Sequence, residues 1–531
     1  MSSSTIDDWG FPMQALGRLP RICSNARQLR EMSDEALAAL QLGNEPPTLF
    51  ARSGSMVAVV RNEKQQQIIT NVSEAALRGR LARSADYFRS THAGNEYDCP
   101  PPIDVVRDIL ALEPSLWQFC PLEGVVEAPI IRPDGTILDR PGYDPATLLY
   151  YAPDPTLTVP PIPEQPSEED IVNSRELLDQ AIGEFPFVDE ASKANAIALM
   201  LTTILKPAMN APSPMALLDA PQAGTGKSLL ADQVAIVATG RPGEMSSAPR
   251  DEDEWRKQIT TALMGGSSVV IIDNISRPLD NPDLCKLLTE TTHCDRAMRT
   301  HDKLVLPVKS TWIATGNNIQ LGGDMPRRCY WIRMDAKVSR PFTRDNFKIE
   351  DLKAWTSARR GDLLAALLTL ARVWYAAGRP KPGLKRLGSY ENWSTTIGGI
   401  LEHVGIPGFL ANAEAFYRDS DPEAAQWEVF LQTLYDVFDG EPFTVAKIFE
   451  KLKMTAWNGT SNKPTTEALR LRESLPDFIA ESVDRDGFFQ KRTGRCFGDR
   501  VDRRFGEFQL HLKRDTTLHG CQQWKVIFPG K

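Results

Sequence analysis

The stretch from Met215 to Gly240 most restricts what this chain can fold into. Met215-Ala-Leu-Leu-Asp219 is an apolar run of strand length, Pro221-Gln-Ala-Gly-Thr-Gly-Lys-Ser228 follows, and Leu229–Ala238 carries helical spacing up to Gly240. A buried strand, a glycine loop and a helix in that order predict a loop whose N–H groups turn inward around phosphate oxygens. Gly224 and Gly226 supply the backbone freedom, and the helix N-terminus adds its positive dipole end. The candidate binding residues are Gln222, Ala223, Gly224, Thr225, Gly226, Lys227, Ser228 and Leu229. Lys227 is the point charge for the β- and γ-phosphates, and Ser228 is the hydroxyl for Mg²⁺. Pro221 stands where the usual pattern opens on glycine, which removes one N–H at the loop entry.

Short apolar runs alternate with helical patterns from Met215 to Asp335, as in a parallel α/β sheet. Ser268-Val-Val-Ile-Ile-Asp273 reads as a buried strand with Asp273 at its C-terminal end, where such sheets bind ligands and where a carboxylate orients the water shell of Mg²⁺. Asn274 comes next, at the place where many ATPases of this type carry a catalytic glutamate. An amide can hold a water but cannot take its proton. The general base therefore comes from elsewhere, or hydrolysis is slow, or there is none. A further strand, Ser310–Gly316, ends at Asn317-Asn318, within reach of a γ-phosphate. Asp324-Met-Pro-Arg-Arg-Cys329 then sets Arg327 and Arg328 just before another strand, Tyr330–Met334. Between the acidic strand and the Asn317 strand, Arg296–Lys309 reads as two short strands around a turn at His301–Lys303.

The remainder divides by composition. Residues 1–152 read as a mixed α/β domain, with strands in Leu49–Val60 and Gln67–Ile69, a helix over Glu74–Ala85, and hairpin turns at Pro133-Asp-Gly135 and Pro141-Gly142. Six prolines between Pro153 and Pro166 make residues 153–169 a semi-rigid linker. Glu164–Glu190 holds nine carboxylates against Arg175 alone and reads as the solvated face of one or two helices. Leu363, Leu364, Leu367, Leu368, Leu370 and Ala371 mark a helix within Asp351–Asn412. From about Pro422 a small module follows, with helices over Trp427–Phe438 and Phe443–Leu452 and strands in the Arg/Gly-rich tail from Phe488.

PQAGTGKS, VVIIDN, WIATGNN and DMPRRCYWIRMD, in this order and at this spacing, resemble the AAA+ core of replicative helicases carried by phages and mobile elements. Those proteins are similar to the minichromosome-maintenance and superfamily 3 helicases. The resemblance covers residues 170–412 and extends more weakly to Pro141–Pro145 and to the C-terminal module. It implies an α/β fold with an AAA+ P-loop ATPase core (170–345), a helical lid (346–421), an N-terminal DNA-binding or collar domain (1–152), and a winged-helix-like DNA-binding module (422–531). The activity implied is an ATP-dependent helicase in phage or mobile-element replication, with ATP and Mg²⁺ as cofactors and single-stranded or forked DNA as partner. Lys227 and Ser228 are then the phosphate-loop pair, Asp273 the metal partner with Asn274 beside it, and Asn317 a sensor. Arg327 or Arg328 becomes a finger reaching a neighbouring subunit's ATP, which implies a ring, usually of six. Arg299, His301 and Lys303 become hairpin residues on DNA.

In the C-terminal module, Thr444–Leu452 and Thr465–Leu475 read as a helix-turn-helix with the second as recognition helix, and Gln523–Phe528 closes a wing. Lys491, Arg492, Arg495, Arg503 and Arg504 cluster among glycine and aromatics as candidate DNA contacts. Charge first argues otherwise, since the 531 residues carry a net −8. Residues 485–531, however, hold eleven Lys/Arg against five Asp/Glu, so a basic end sits behind an acidic average. Eight scattered cysteines without a C-x-x-C pair, no signal-peptide pattern at Met1–Asp8, and no apolar run of membrane-spanning length lead to the expectation of a cytoplasmic chain that touches no membrane. Two other functions fit the same motifs: a nucleotide-gated DNA-binding initiator that does not translocate, and the ATPase of an antiphage defence system. Primase or other replication partners accompany similar proteins, but residues 1–150 hold no acidic metal-binding constellation of a fused primase.

Overall fold

All six residues of Met215–Ala220 are buried, as a strand covered on both faces must be. In the computed structural model this strand, β1, lies in a sheet with β2 (Met245–Ser247), β3 (Val269–Ile275), β4 (Thr311–Asn317) and β5 (Cys329–Arg333). The order is β2-β3-β4-β1-β5 and every pair is parallel. The fold is therefore mixed α/β around a parallel sheet, and the C-terminal ends of β1, β3 and β4 lie side by side. The described residues are 18–63, 66–296, 303–345, 347–383, 387–420, 422–457, 462–484, 488–518 and 520–529. Two units separate by their contacts: residues 1–319 with 323–413, and residues 320–322 with 414–531.

In the first unit, five helices cover the sheet: α1 (Glu168–Ile182), α2 (Glu190–Met209), α3 (Lys227–Thr239), α4 (Arg360–Ala376) and α5 (Glu391–His403). One core runs through them, including Leu178, Leu199, Leu218, Val234, Ile313, Leu367 and Trp393. The six residues at helical spacing in α4, Leu363 to Ala371, are all buried, each leucine contributing about 2 kcal/mol relative to exposure. α2 is buried without interruption from Ala194 to Ala208. No helix among the described residues is long and apolar enough to cross a membrane. The acidic stretch has a local cause: Ser167 and Asp170 form a capping box, and Glu168, Glu169 and Asp170 occupy the first turn of α1, where carboxylates meet the positive end of the helix dipole. The proline-rich stretch is laid on the core by Leu157, Val159 and Ile162, which alternate with its prolines and pack inward.

Residues 18–152 belong to the same unit and have their own core, with Leu37, Leu81, Val105, Ile109 and Trp117 at its centre. Two arginines join them to the sheet layer through helix ends. Buried Arg52 donates to Leu263 O at 2.8 Å and Met264 O at 2.9 Å, carbonyls in the last turn of helix Glu252–Gly265. Arg360 donates to Val237 O at 3.1 Å at the end of α3 and to Glu127 O at 2.8 Å. Each donates to carbonyls at a helix end or loop, where intrahelical hydrogen bonding runs out. The turn expected at Pro141-Gly142 is not there: Gly142 opens the strand Gly142–Asp144, and the chain reverses over Asp144–Leu148, where Leu148 N–H returns to Asp144 O at 2.8 Å.

The second unit holds α6 (Pro422–Phe438), α7 (Val445–Leu452), α8 (Thr466–Ser474) and α9 (Phe488–Asp499), then the hairpin β6 (His511–Leu518) and β7 (Cys521–Ile527). The strands expected from Phe488 are thus a helix first. Phe489, Thr493, Cys496 and Phe497 repeat at helical spacing and are buried, a pattern that the Arg/Gly composition obscures. Phe497 packs with ring centroids 6.0 Å from Trp427 and 5.3 Å from Trp524. The helix leading into the hairpin is therefore α9, not α8.

Candidate functional site

The glycine loop leaves β1 and enters α3, with Gly226 at the helix N-cap in the left-handed region at φ 100°. Gly224 has φ 79° and lies so close to Phe342 that a Cβ there would sit 2.8 Å from the Phe342 Cβ. A Cβ on Gly226 would meet the Phe185 ring at 3.2 Å. Both positions therefore disfavour side chains by conformation, and Gly224 does so by space as well. Lys227 donates to Asn317 Oδ1 at 2.8 Å, Gln222 O at 3.0 Å and Thr225 Oγ1 at 3.1 Å. Burial holds its ammonium below the usual lysine range, Asp219 and Asp273 oppose that shift, and Arg333 adds to it. With its amide turned so that the nitrogen faces them, Gln222 would donate to Val338 O at 3.0 Å and Ser339 O at 3.2 Å. Ala223 is exposed, Thr225 buried and Leu229 half-buried.

At the end of β3, Asp273 Oδ1 accepts from Ser228 Oγ at 3.0 Å and from Thr315 Oγ1 at 2.6 Å. Thr315 in turn accepts from Asn274 N–H at 3.0 Å. The register of β3 on β4 breaks between Ile272 and Ile275, and Asn274 stands at φ 58° with its side chain exposed. Asparagine tolerates that left-handed backbone better than glutamate does. Asn274 is thus a residue type suited to the backbone it occupies. Ser228 and Asp273 offer adjacent hard oxygens, a fit for Mg²⁺, which keeps most of its remaining positions for phosphate and water.

The two arginines part company. Both bind Asp324: Arg327 by Nη2 at 2.6 Å and by Nε, Arg328 by Nε at 2.9 Å and by Nη2. The Arg327 side chain is 59% exposed and that of Arg328 11%. Only Arg327 stands where it can meet another molecule.

The expected hairpin is present as Thr292–Arg296 paired antiparallel with Lys303–Pro307, Arg296 opposite Lys303. Lys303 is the first residue of the second strand rather than a turn residue, while Arg299 and His301 lie outside the described residues. In the second unit, Lys491 and Arg495 are exposed on α9, and Arg503 and Arg504 are exposed beyond it. Arg492 is occupied, 3.3 Å from Glu481 and 3.5 Å above the Phe478 ring. The hairpin adjoins α9, with Arg514 Nη2 3.7 Å from where a Cβ on Gly498 would stand.

Sequence reasoning missed Asp219, Thr315 and Arg333. Asp219 is almost fully buried and takes hydrogen bonds from Ile319 N–H and Trp331 Nε1, each at 3.1 Å, and an ion pair from Arg333. A carboxylate inside the apolar run MALLDA was the available signal, since a buried charge demands a partner. Arg333 lies within DMPRRCYWIRMD, but its polar partners Asp219 and Asn318 are distant in sequence, so the motif alone gave it no role.

No protein-family model and no curated protein matches the chain. Among solved structures, the apo A form of the NrS-1 C-terminal region is similar at 13% identity, over 89% of this chain and 97% of that one, with a TM-score of 0.34. A second structure of that region, 305–718, has 13% identity and a TM-score of 0.32 over 89% and 96% of the two chains. JCV helicase, bound to a thiazolopyridinyl-phenoxyphenyl acetamide, has 14% identity over 38% of this chain and 61% of that one, with a TM-score of 0.22.

Proposed function

We propose that the first unit is an AAA+ ATPase core and that the protein is a ring-forming, ATP-dependent DNA helicase serving replication of a phage or mobile element. One observation carries the reading. Lys227, Ser228, Asp273 and Asn317, from three separate segments, converge at the C-terminal ends of β1, β3 and β4, with Lys227 on Asn317 at 2.8 Å and Ser228 on Asp273 at 3.0 Å. That is the arrangement a triphosphate needs: a cation and inward N–H groups for its β- and γ-oxygens, and two hard oxygens beside them. Ser228 and Asp273 would hold Mg²⁺, which supplies charge neutralisation on the β- and γ-oxygens. In this reading Asn317 senses the γ-phosphate and Arg327 reaches the neighbouring subunit's site. Residues 346–421 form the lid, residues 1–152 a collar, and the hairpin with Lys303 lines the DNA channel.

The second unit, as a winged-helix module, would add a DNA surface on α9 and its hairpin rather than on α8. Lys491, Arg495, Arg503 and Arg504 are exposed there, whereas Arg492 is engaged by Glu481. A second reading, an initiator that binds ATP and DNA without translocating, draws on Asn274, which offers no base. Strand displacement on a forked duplex separates the two. The direct test is turnover: the wild type hydrolyses ATP faster with single-stranded DNA, and Lys227→Ala lowers that rate by about a hundredfold or more. ATP binding without DNA-stimulated turnover in the wild type overturns the motor and leaves the initiator.

A further inference from the structure

We infer that Arg333 is a positioning residue of this site, lacing three strand ends together so that Asn317 stays aimed at the γ-phosphate position. The inference rests on the nucleotide reading above and adds to it a residue to which the motifs gave no role. Arg333 ends β5, the strand on the far side of β1 from β4. Its guanidinium crosses β1, pairing with Asp219 by Nη1 and donating from Nη2 to Asn318 Oδ1 at 2.9 Å. The Trp331 ring supports it, 4.8 Å from the centroid to Cζ.

The far end of this lace is the turn that carries the sensor candidate. Asn318 stands in the left-handed region at φ 47°, and its N–H returns to Ala220 O at 3.1 Å. Ile319 N–H is taken by the same Asp219 that holds Arg333. Asn317, immediately before this turn, is the residue on Lys227. An arginine is required because the planar fork reaches a carboxylate and an amide oxygen at once, whereas an ammonium is a single point. Asp219, with its side chain 3% exposed, supplies the counter-charge that fixes the fork. Arg333 is not assigned contact with the phosphates. It acts through Asn318 on the direction of Asn317.

The experiment measures ATP and ADP affinities of the full chain by competition with a fluorescent nucleotide, which needs no turnover. Loss of an oriented γ-phosphate contact lowers ATP affinity in Arg333→Met by about tenfold and leaves ADP affinity within about twofold. Arg333→Lys restores the pair with Asp219, and hence the thermal midpoint, but not the preference for ATP. Asn318→Ala leaves Arg333 on Asp219 and guards against a Met variant that fails to fold; it shifts the ATP/ADP ratio in the same direction. Equal losses for both nucleotides, no loss, or recovery of the ratio by lysine overturns the positioning role. A wild type that binds neither nucleotide overturns the reading of the site itself, and the role of Arg333 with it.

Discussion

The two units use cations in opposite ways. In the first, charge is taken inside and given fixed partners: Arg52 and Arg360 on helix-end carbonyls, Lys206 on Ala211 O at 2.8 Å, and Lys227 on Asn317. In the second, Lys491, Arg495, Arg504 and Lys513 are exposed and make no ion pair among the described residues. Its arginines closer to the core, Arg492 and Arg500, are held by Glu481 and Glu423. Buried charge acts through geometry and resists salt, while exposed charge acts as a field that falls off within about 10 Å at 0.1 M salt. The first arrangement suits a site that must hold one ligand in one pose. The second suits a surface that meets a polyanion in many registers.

The contrast breaks first at Arg360. Replacing it with alanine leaves the Val237, Ala238 and Glu127 carbonyls without their donor and opens a void, and we expect a loss of about 3 kcal/mol. Arg504→Ala, on the exposed side of the comparison, costs less than about 0.5 kcal/mol. Denaturant unfolding of the full chain checks both, with the loss confined to the transition of the first unit. Equal costs would remove the distinction between the two kinds of charge.

Lys206 sharpens it through pH. Burial, with a smaller contribution from Lys309, pushes its ammonium down to about 7. The unfolded chain binds that proton up to about pH 10.4, so between these values the unfolded state holds more protons and stability rises with pH. From pH 7 to pH 9 the first unit gains roughly 2–3 kcal/mol from this group. Lys206→Met removes the charge, is relatively most stabilising at and below pH 7, and flattens the profile. A wild-type midpoint that falls over this interval, or a Met variant with the same slope, contradicts the account.

How much was readable in the sequence follows the same division between local and distant causes. Lys227, Ser228 and the helix behind them were readable because strand, glycines and helix are adjacent in the chain. Asp273 and Asn317 were readable because each ends an apolar strand, where a ligand side of the sheet must lie. The order β2-β3-β4-β1-β5 was not, since no run of residues states which strand is its neighbour. Arg327 and Arg328 looked equivalent as a pair, and only packing distinguishes the exposed one from the buried one. In the second unit, composition misled: glycine and arginine around Phe488–Asp499 suggested strands, while the buried spacing of Phe489, Thr493 and Phe497 is helical. Periodicity was the better guide there, as it had been at Leu363–Ala371.

The smallest effect is also the most particular to the second unit. A surface that binds through unpaired cations releases counterions from DNA, and each phosphate contact adds about 0.9 to the slope of log affinity against log salt. Lys491 and Arg495 lie one helical turn apart on the exposed side of α9, so both can meet one backbone. Replacing both with alanine should weaken duplex binding by the full chain about tenfold at low salt and lower the slope by about 2. Arg492→Ala is the control on the same helix: its guanidinium is committed to Glu481 and Phe478, so the slope changes by less than about 1. Titrations at several salt concentrations separate a lost phosphate contact from a damaged fold, because damage lowers affinity without changing the slope. An unaltered slope in the double variant would remove α9 from the DNA surface and leave DNA contact to the first unit alone.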